Sequence, residues 1–358
     1  MKTYIKFLII NFIKSFINIL VVFTGLIIII NLLSELDFFK DTQVEIFFPI
    51  YLSFLNTPSL LFEMFPFLIL ISTQLFFLKL FYQDEIQILK YSGLKNTKIL
   101  IIISLTSFVI GLFSILLFYN ISSNLKNYYL ELKSQYTTDD KYLAVITKNG
   151  IWIKDSINDK KVLINSSKIE KNFLYNTLIS EFNKEYDVIK NIYSEKIDIK
   201  EQEWQIFNPK IIKNNSIINS LDLIKYETNF DYKKIQSLFS NLMSINFLEL
   251  IELRKNYKSI NYSTVEIDIQ IQKLISYPIY LILISIFATI IMFNSKKFKN
   301  NFFKIILGLL SAVVIYYVNN FFNVLGKTEK IHYIFAIWIP MLILFVLNIF
   351  LSKNINEK

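Results

Sequence analysis

Six long apolar runs punctuate the chain: Ser15–Leu33, about Ile50–Leu80, Ile99–Tyr119, Leu274–Phe293, Phe302–Leu325 and Ile334–Leu351. Each is close to or above the ~20 residues with which a helix crosses a hydrocarbon core of roughly 30 Å. From Ile121 to about Ser244 no apolar run reaches that length, and Asn, Lys, Asp, Glu, Ser and Tyr dominate. Inside that stretch Tyr142–Thr147, Ile151–Lys154 and Ile197–Lys200 alternate with period two, and the Asn149-Gly150 pair is a hairpin signal. The pattern predicts an antiparallel β-domain over 121–262, with Trp152 and Trp204 as core anchors. Phe247, Leu250, Ile251 and Arg254 follow helical spacing, so the return to the membrane runs through helix. The fold class is therefore an α-helical integral membrane protein with six transmembrane helices, three in 1–120 and three in 263–358, around an inserted β-domain. Pro58 and Pro66 fall inside the second run, and each predicts a break or kink.

Between the second and third runs, Tyr82–Thr97 has a different texture. Asp84, Glu85, Gln87 and Lys90 interleave with Ile86, Ile88 and Leu89, which predicts a short helix with one wet and one apolar face. Gly93 stands where a helix end needs a residue that accepts positive φ before the chain reverses. A helix presented in this way is a handle for a partner.

Charge orients the runs. The net charge of +9 comes from lysines beside the apolar segments, Arg254 being the sole arginine, so it reflects membrane orientation and not nucleic-acid binding. Lys2, Lys6, Lys79, Lys90, Lys95, Lys98, Lys296, Lys297, Lys299, Lys304, Lys353 and Lys358 put both termini and the Tyr82–Thr97 segment in the cytoplasm. Lys40, Lys327 and Lys330 are the lysines of the short outer loops, and the β-domain lies on their side. Lys2 and Lys6 precede a long apolar stretch without a small-residue cleavage site, which reads as a retained first span.

No catalytic constellation is found. The chain has no cysteine and one histidine, His332, so neither a histidine triad nor a multi-imidazole zinc site can be assembled, and no metal site is predicted. Gly326-Lys327-Thr328 looks like the end of a phosphate loop, but Phe321 stands where such a loop needs glycine. Asp139-Asp140 lacks metal-site spacing and reads as solvated surface. Polar groups inside the apolar runs are more informative, because each is costly unless paired or facing an aqueous or ligand cavity. Glu63 lies between the prolines of the second run, and Tyr316, Asn319 and Asn323 form a stripe in the fifth. That stripe serves either helix-to-helix hydrogen bonding or cavity lining; Asn31 and Lys40, near the outer end of the first run, are either interfacial anchors or lipid head-group contacts.

These residues, in this order, resemble the lipopolysaccharide export permeases LptF and LptG over nearly the full length. Glu85, eight residues before Gly93, matches the glutamate of that family's coupling helix, and the Pro58 and Pro66 spacing is similar. Gly150-Ile-Trp-Ile-Lys-Asp155 looks like the hairpin of the LptG branch, Trp204-Gln205 sits where that branch has a Trp before a late strand, and Met243-Ser244-Ile245 and Lys273–Pro278 continue the match. Asn31 stands where the family has a lysine that contacts lipid phosphates, Asn319 where it often has an acid, and the proline before the sixth span is missing around Lys330 and Ile331.

The resemblance implies a β-jellyroll for the inserted domain and a non-enzymatic transport subunit of the inner membrane. It implies an LptB-like ATPase dimer, which uses ATP and Mg and docks at Glu85, Ile86, Leu89, Lys90 and Gly93. It implies also a second permease of the LptF or LptG type and a periplasmic bridge of LptC and LptA. The chain itself would bind no cofactor and no nucleic acid. Lipopolysaccharide would enter a cavity between the first and fifth spans, with Asn31, Lys40, Tyr316, Asn319 and Asn323 as candidate lining residues. A membrane sensor with a periplasmic ligand-binding β-domain is the alternative, although the few residues after Leu351 offer it no output domain.

Overall fold

The computed structural model describes residues 3–40, 42, 44, 45, 47–134, 136, 151–157, 160–170, 172–183, 186–213, 216–219, 222–232, 235, 241–259, 263–293, 301–353 and 355. The Tyr142–Thr147 strand, the Asn149-Gly150 turn, the Asp139-Asp140 pair and Lys296, Lys297 and Lys299 lie outside the described residues. Six described helices are long and apolar enough to cross a membrane: Thr3–Phe38, Phe47–Tyr82, Asn96–Lys133, Val265–Phe293, Phe302–Lys327 and Tyr333–Ser352, here the first to sixth spans. The chain divides into two compact units, Met1–Lys126 with Val265–Lys358, and Asn127–Thr264.

In the helical unit the second and fourth spans form the interior, and the first and fifth are the least covered. Of the expected break or kink at the prolines, a break does not occur, for Phe47–Tyr82 is one helix through Pro58 and Pro66. Pro66 has no N–H for the carbonyl of Phe62, four residues back. The Tyr277 hydroxyl of the fourth span donates to that carbonyl at 2.7 Å, and its ring stacks on Phe62 with centroids 4.7 Å apart. A donor from the neighbouring helix thus replaces the one that proline removes.

The third span corrects another expectation. Residues 121–134 continue the helix: Asn96–Phe113 is α-helical, Ser114–Tyr119 is π-helical, and Asn120–Ser134 is α-helical again. Ser122 and Ser123 are accommodated within it by turning their hydroxyls back onto the carbonyls of Tyr119 and Asn120, at 2.9 and 3.0 Å.

Among the described residues of the second unit eight antiparallel strands form one sheet: β1 Ile151–Ile157, β2 Lys160–Glu170, β3 Phe173–Phe182, β4 Val188–Asp198, β5 Glu203–Phe207, β6 Lys210–Lys213, β7 Ser216–Asn219 and β8 Leu223–Glu227. The order is β1-β2-β3-β4-β5-β8, with β6 pairing with both β4 and β7. One face is apolar, through Ile153, Ile164, Ile179, Ile192, Ile197 and Ile206, with the period-two alternation interrupted once on β4, between Ser194 and Ile197. Trp204 is fully enclosed there, with its indole N–H on the Phe230 carbonyl at 2.7 Å. Trp152 is not a core anchor, being 51% exposed. On β1 the alternation sends Ile153 and Asp155 inward, so Trp152 between them faces out. Asp155 accepts from the Thr228 hydroxyl at 2.7 Å and from the Asn229 backbone and side-chain amides at 3.0 and 2.8 Å.

Tyr277→Phe keeps the ring stack and leaves the Phe62 carbonyl without its donor. We expect a loss of about 1–2 kcal/mol, read as a lower Tm of the detergent-solubilised protein. An unchanged Tm would mean that the proline is tolerated without this hydrogen bond.

Candidate functional site

Two features of the helical unit combine exposure or burial with chemistry in unusual places. The first is the short helix. It spans Glu85–Tyr91, tighter than the 82–97 read from the sequence, because Tyr82 still belongs to the second span and Asn96 already opens the third. Asp84 takes a left-handed conformation, φ 54°, where the chain leaves the second span. At the far end Leu94 N–H bonds the Leu89 carbonyl at 3.0 Å and Gly93 N–H the Lys90 carbonyl at 2.9 Å, with Gly93 at φ 80°. This paired closure is the Schellman arrangement that the glycine predicts.

On this helix Ile86 is buried and Leu89 partly so, which anchors it. Ile88 and Tyr91, one turn apart, are 61% and 87% exposed, and Tyr82 beside them is also exposed. The expected wet face is therefore not wholly polar. Lys90 is exposed, while Glu85 is half-buried, with one carboxylate oxygen enclosed and lacking a hydrogen-bond partner among the described residues. Such a surface suits a protein partner better than water.

The second feature is a set of polar side chains at the other end of the spans. The Asn31 side-chain amide donates to the Ser53 carbonyl at 3.0 Å, the Asn56 amide to Asn31 Oδ1 at 3.0 Å, and Lys126 Nζ to Asn56 Oδ1 at 2.5 Å. This relay runs from the second span's backbone through the first span to a cation on the third. Glu63 lies within electrostatic reach of Lys126 and Lys273, and Lys273 within reach of Lys327, which pairs with Glu266 at 3.6 Å. In the fifth span Asn319 donates to the Tyr280 hydroxyl at 2.7 Å.

The predicted lining residues do not converge on one space. Asn31 is buried in the relay, Lys40 is exposed beyond it, and Tyr316 faces outward. Asn319 binds the fourth span, and Asn323 keeps an enclosed side-chain oxygen without a hydrogen-bond partner among the described residues. The stripe therefore serves helix pairing at Asn319, but not as one continuous polar wall. Asn319 also borders an apolar cavity of about 340 Å³ between the fourth, fifth and sixth spans, with Phe287, Leu310, Val314, Pro340 and Leu344. Lys126 escaped the sequence reading because it sits in the stretch assigned to the polar domain. Asn56 escaped it as one more polar residue near a helix start.

With this geometry in place, the comparison with known families is decisive. The family model for the lipopolysaccharide export system permease LptF/LptG matches residues 6–354. The chain belongs to the LptF/LptG family. It is accordingly a multi-pass permease of lipopolysaccharide export, and its helices and inserted antiparallel sheet fit that assignment. The match does not separate the two branches of the family. No curated protein matches the chain.

In an LptF/LptG permease the closing turn after the short helix is a natural point of perturbation. An added Cβ at Gly93 meets nothing within 4 Å, so Gly93→Ala acts through its φ alone. A cost of about 1 kcal/mol is expected, with faster amide exchange at Gly93 and Leu94 and no loss of the six spans. Unaltered exchange there would remove the case for glycine at this position.

Proposed function

We propose that this permease is one of two six-span subunits in an ATP-driven exporter, and that the ATPase dimer docks on Glu85–Tyr91. The observation that carries the reading is the apolar pair Ile88 and Tyr91, displayed on a short helix wedged between two spans and anchored by Ile86. The family membership supplies the transport context, and the lysine distribution supports a cytoplasmic side for this helix and a periplasmic side for the β-domain. ATP and Mg belong to the partner ATPase. The Gly150–Asp155 hairpin favours the LptG branch, so the second permease is of the LptF kind.

Lipopolysaccharide enters from the outer leaflet between the first and fifth spans, whose faces are the least covered by the chain's own helices. Its acyl chains meet apolar side chains, and its phosphates meet Lys126 and Lys273, with Glu63 between them. Asn31 occupies the family's lysine position, and here it holds Lys126 through Asn56. ATP-driven closure of the ATPase dimer moves the docked helices, narrows the cavity and passes the glycolipid to the β-domain and on to an LptC and LptA bridge, where an open sheet edge can accept another strand.

Affinity purification of the tagged protein in mild detergent, with mass spectrometry of retained proteins and lipids, tests both parts. We expect an ABC ATPase, a second six-span subunit and a lipid A-containing glycolipid. Ile88→Asp places a carboxylate in the docking surface and should reduce ATPase recovery by about tenfold or more, since a central contact is worth ~2 kcal/mol or more; undiminished recovery would move the docking site elsewhere. Lys126→Ala with Lys273→Ala should leave the ATPase bound and deplete the glycolipid. Equal glycolipid retention would remove these lysines from the substrate site.

A further inference from the structure

At the end of the helical unit that carries the short helix, the second span grips the fifth through one buried amide. Gln74 is fully enclosed, and its Nε2 donates to the Lys304 carbonyl at 3.0 Å. In a regular helix that carbonyl already accepts from the amide of residue 308. Residue 308 is glycine, and a Cβ there would fall 1.9 Å from Gln74 Nε2 and 2.5 Å from its Cδ. The Gln74 side chain occupies the place of a side chain on the fifth span, so the two helices interlock.

The surroundings make the joint rigid. Lys304 is itself buried, its Nζ donating to the Met292 carbonyl at the end of the fourth span at 3.0 Å and lying 5.3 Å from the Phe81 ring centroid. Phe77 and Phe81, three and seven residues after Gln74, pack on Phe293 with centroids 4.9 and 6.1 Å apart. One stripe of the second span, Gln74–Phe77–Phe81, therefore holds the last turn of the fourth span and the first turns of the fifth. Its helix ends at Tyr82, and the short helix starts at Glu85.

We propose that Gln74 and Gly308 are positioning residues of transport: their interlock carries displacement of the Glu85–Tyr91 helix to the fifth span, one wall of the lipid entrance. This rests on the ATPase-docking reading above. Packed and hydrogen-bonded contacts carry displacement between helices, and at Gln74 the second and fifth spans share both, a hydrogen bond to the Lys304 carbonyl and a side chain filling the space beside Gly308. The amide bond and the missing Cβ make separable contributions. Without the amide the helices slide; with an added Cβ they are forced apart.

The test uses the full complex with its ATPase and second permease, reconstituted in lipid with lipopolysaccharide. ATP hydrolysis and glycolipid release are both measured. Gln74→Ala should keep hydrolysis within about twofold of the wild type and lower the glycolipid released per ATP by about fivefold or more, the scale of a typical coupling energy. Gly308→Ala alone should overpack the joint and reduce recovery of assembled complex. The double variant Gln74→Ala with Gly308→Ala should restore recovery, because the space is freed, and still export poorly per ATP. Normal export per ATP in Gln74→Ala, or its return in the double variant, overturns the joint and reduces the pair to packing. Undiminished ATPase recovery in Ile88→Asp overturns the docking reading and the joint with it, whereas normal export per ATP in Gln74→Ala overturns the joint alone, which distinguishes the two failures.

Discussion

A carbonyl in hydrocarbon has no water to turn to, and the helical unit is built around that constraint. Pro66 strips the Phe62 carbonyl of its donor in mid-span, and Tyr277 supplies one from the fourth span. Side-chain donors reach carbonyls of neighbouring spans at other crossings as well. Asn348 of the sixth span donates to the Leu283 carbonyl of the fourth, Lys304 of the fifth to Met292 of the fourth, and Gln74 of the second to Lys304 of the fifth. Asn96, at the start of the third, donates to the Ile355 carbonyl beyond the sixth. Without a hydrophobic driving force between helices, such donors and close steric fits determine which faces meet.

This arrangement explains why the second and fourth spans are interior and the first and fifth are not. The interior pair carry proline, serine, threonine and buried amides that need partners, whereas the outer pair present Ile, Leu, Val and Phe to their surroundings. Span five still meets its neighbours through Gln74, Lys304 and Asn319, a few polar contacts on a helix that the chain's own helices cover little.

In the β unit ordinary aqueous rules apply. Period-two alternation selects the core face, Trp204 fills it, and Asp155 is accommodated there because three donors from Thr228 and Asn229 surround it. The Gly150–Asp155 motif therefore carries a structural carboxylate at its end and an exposed Trp152 in its middle.

Much was legible in the residues alone. Run length determined the six spans, alternation determined the sheet, and the interleaved Tyr82–Thr97 segment with Gly93 determined a short helix closed by positive φ; all three depend on local periodicity or a single dihedral. Tertiary structure decided what local pattern does not carry. Pro66 leaves the helix unbroken because a hydroxyl 211 positions later reaches its orphaned carbonyl. Asn31 joins a relay, and Tyr316 faces out while Asn319 pairs, because partner and azimuth are set by neighbouring helices. Lys126 becomes a candidate site residue once the third span is seen to continue through it. Gly308, one small residue in an apolar run, acquires meaning only when Gln74 is found in the space that its side chain would fill.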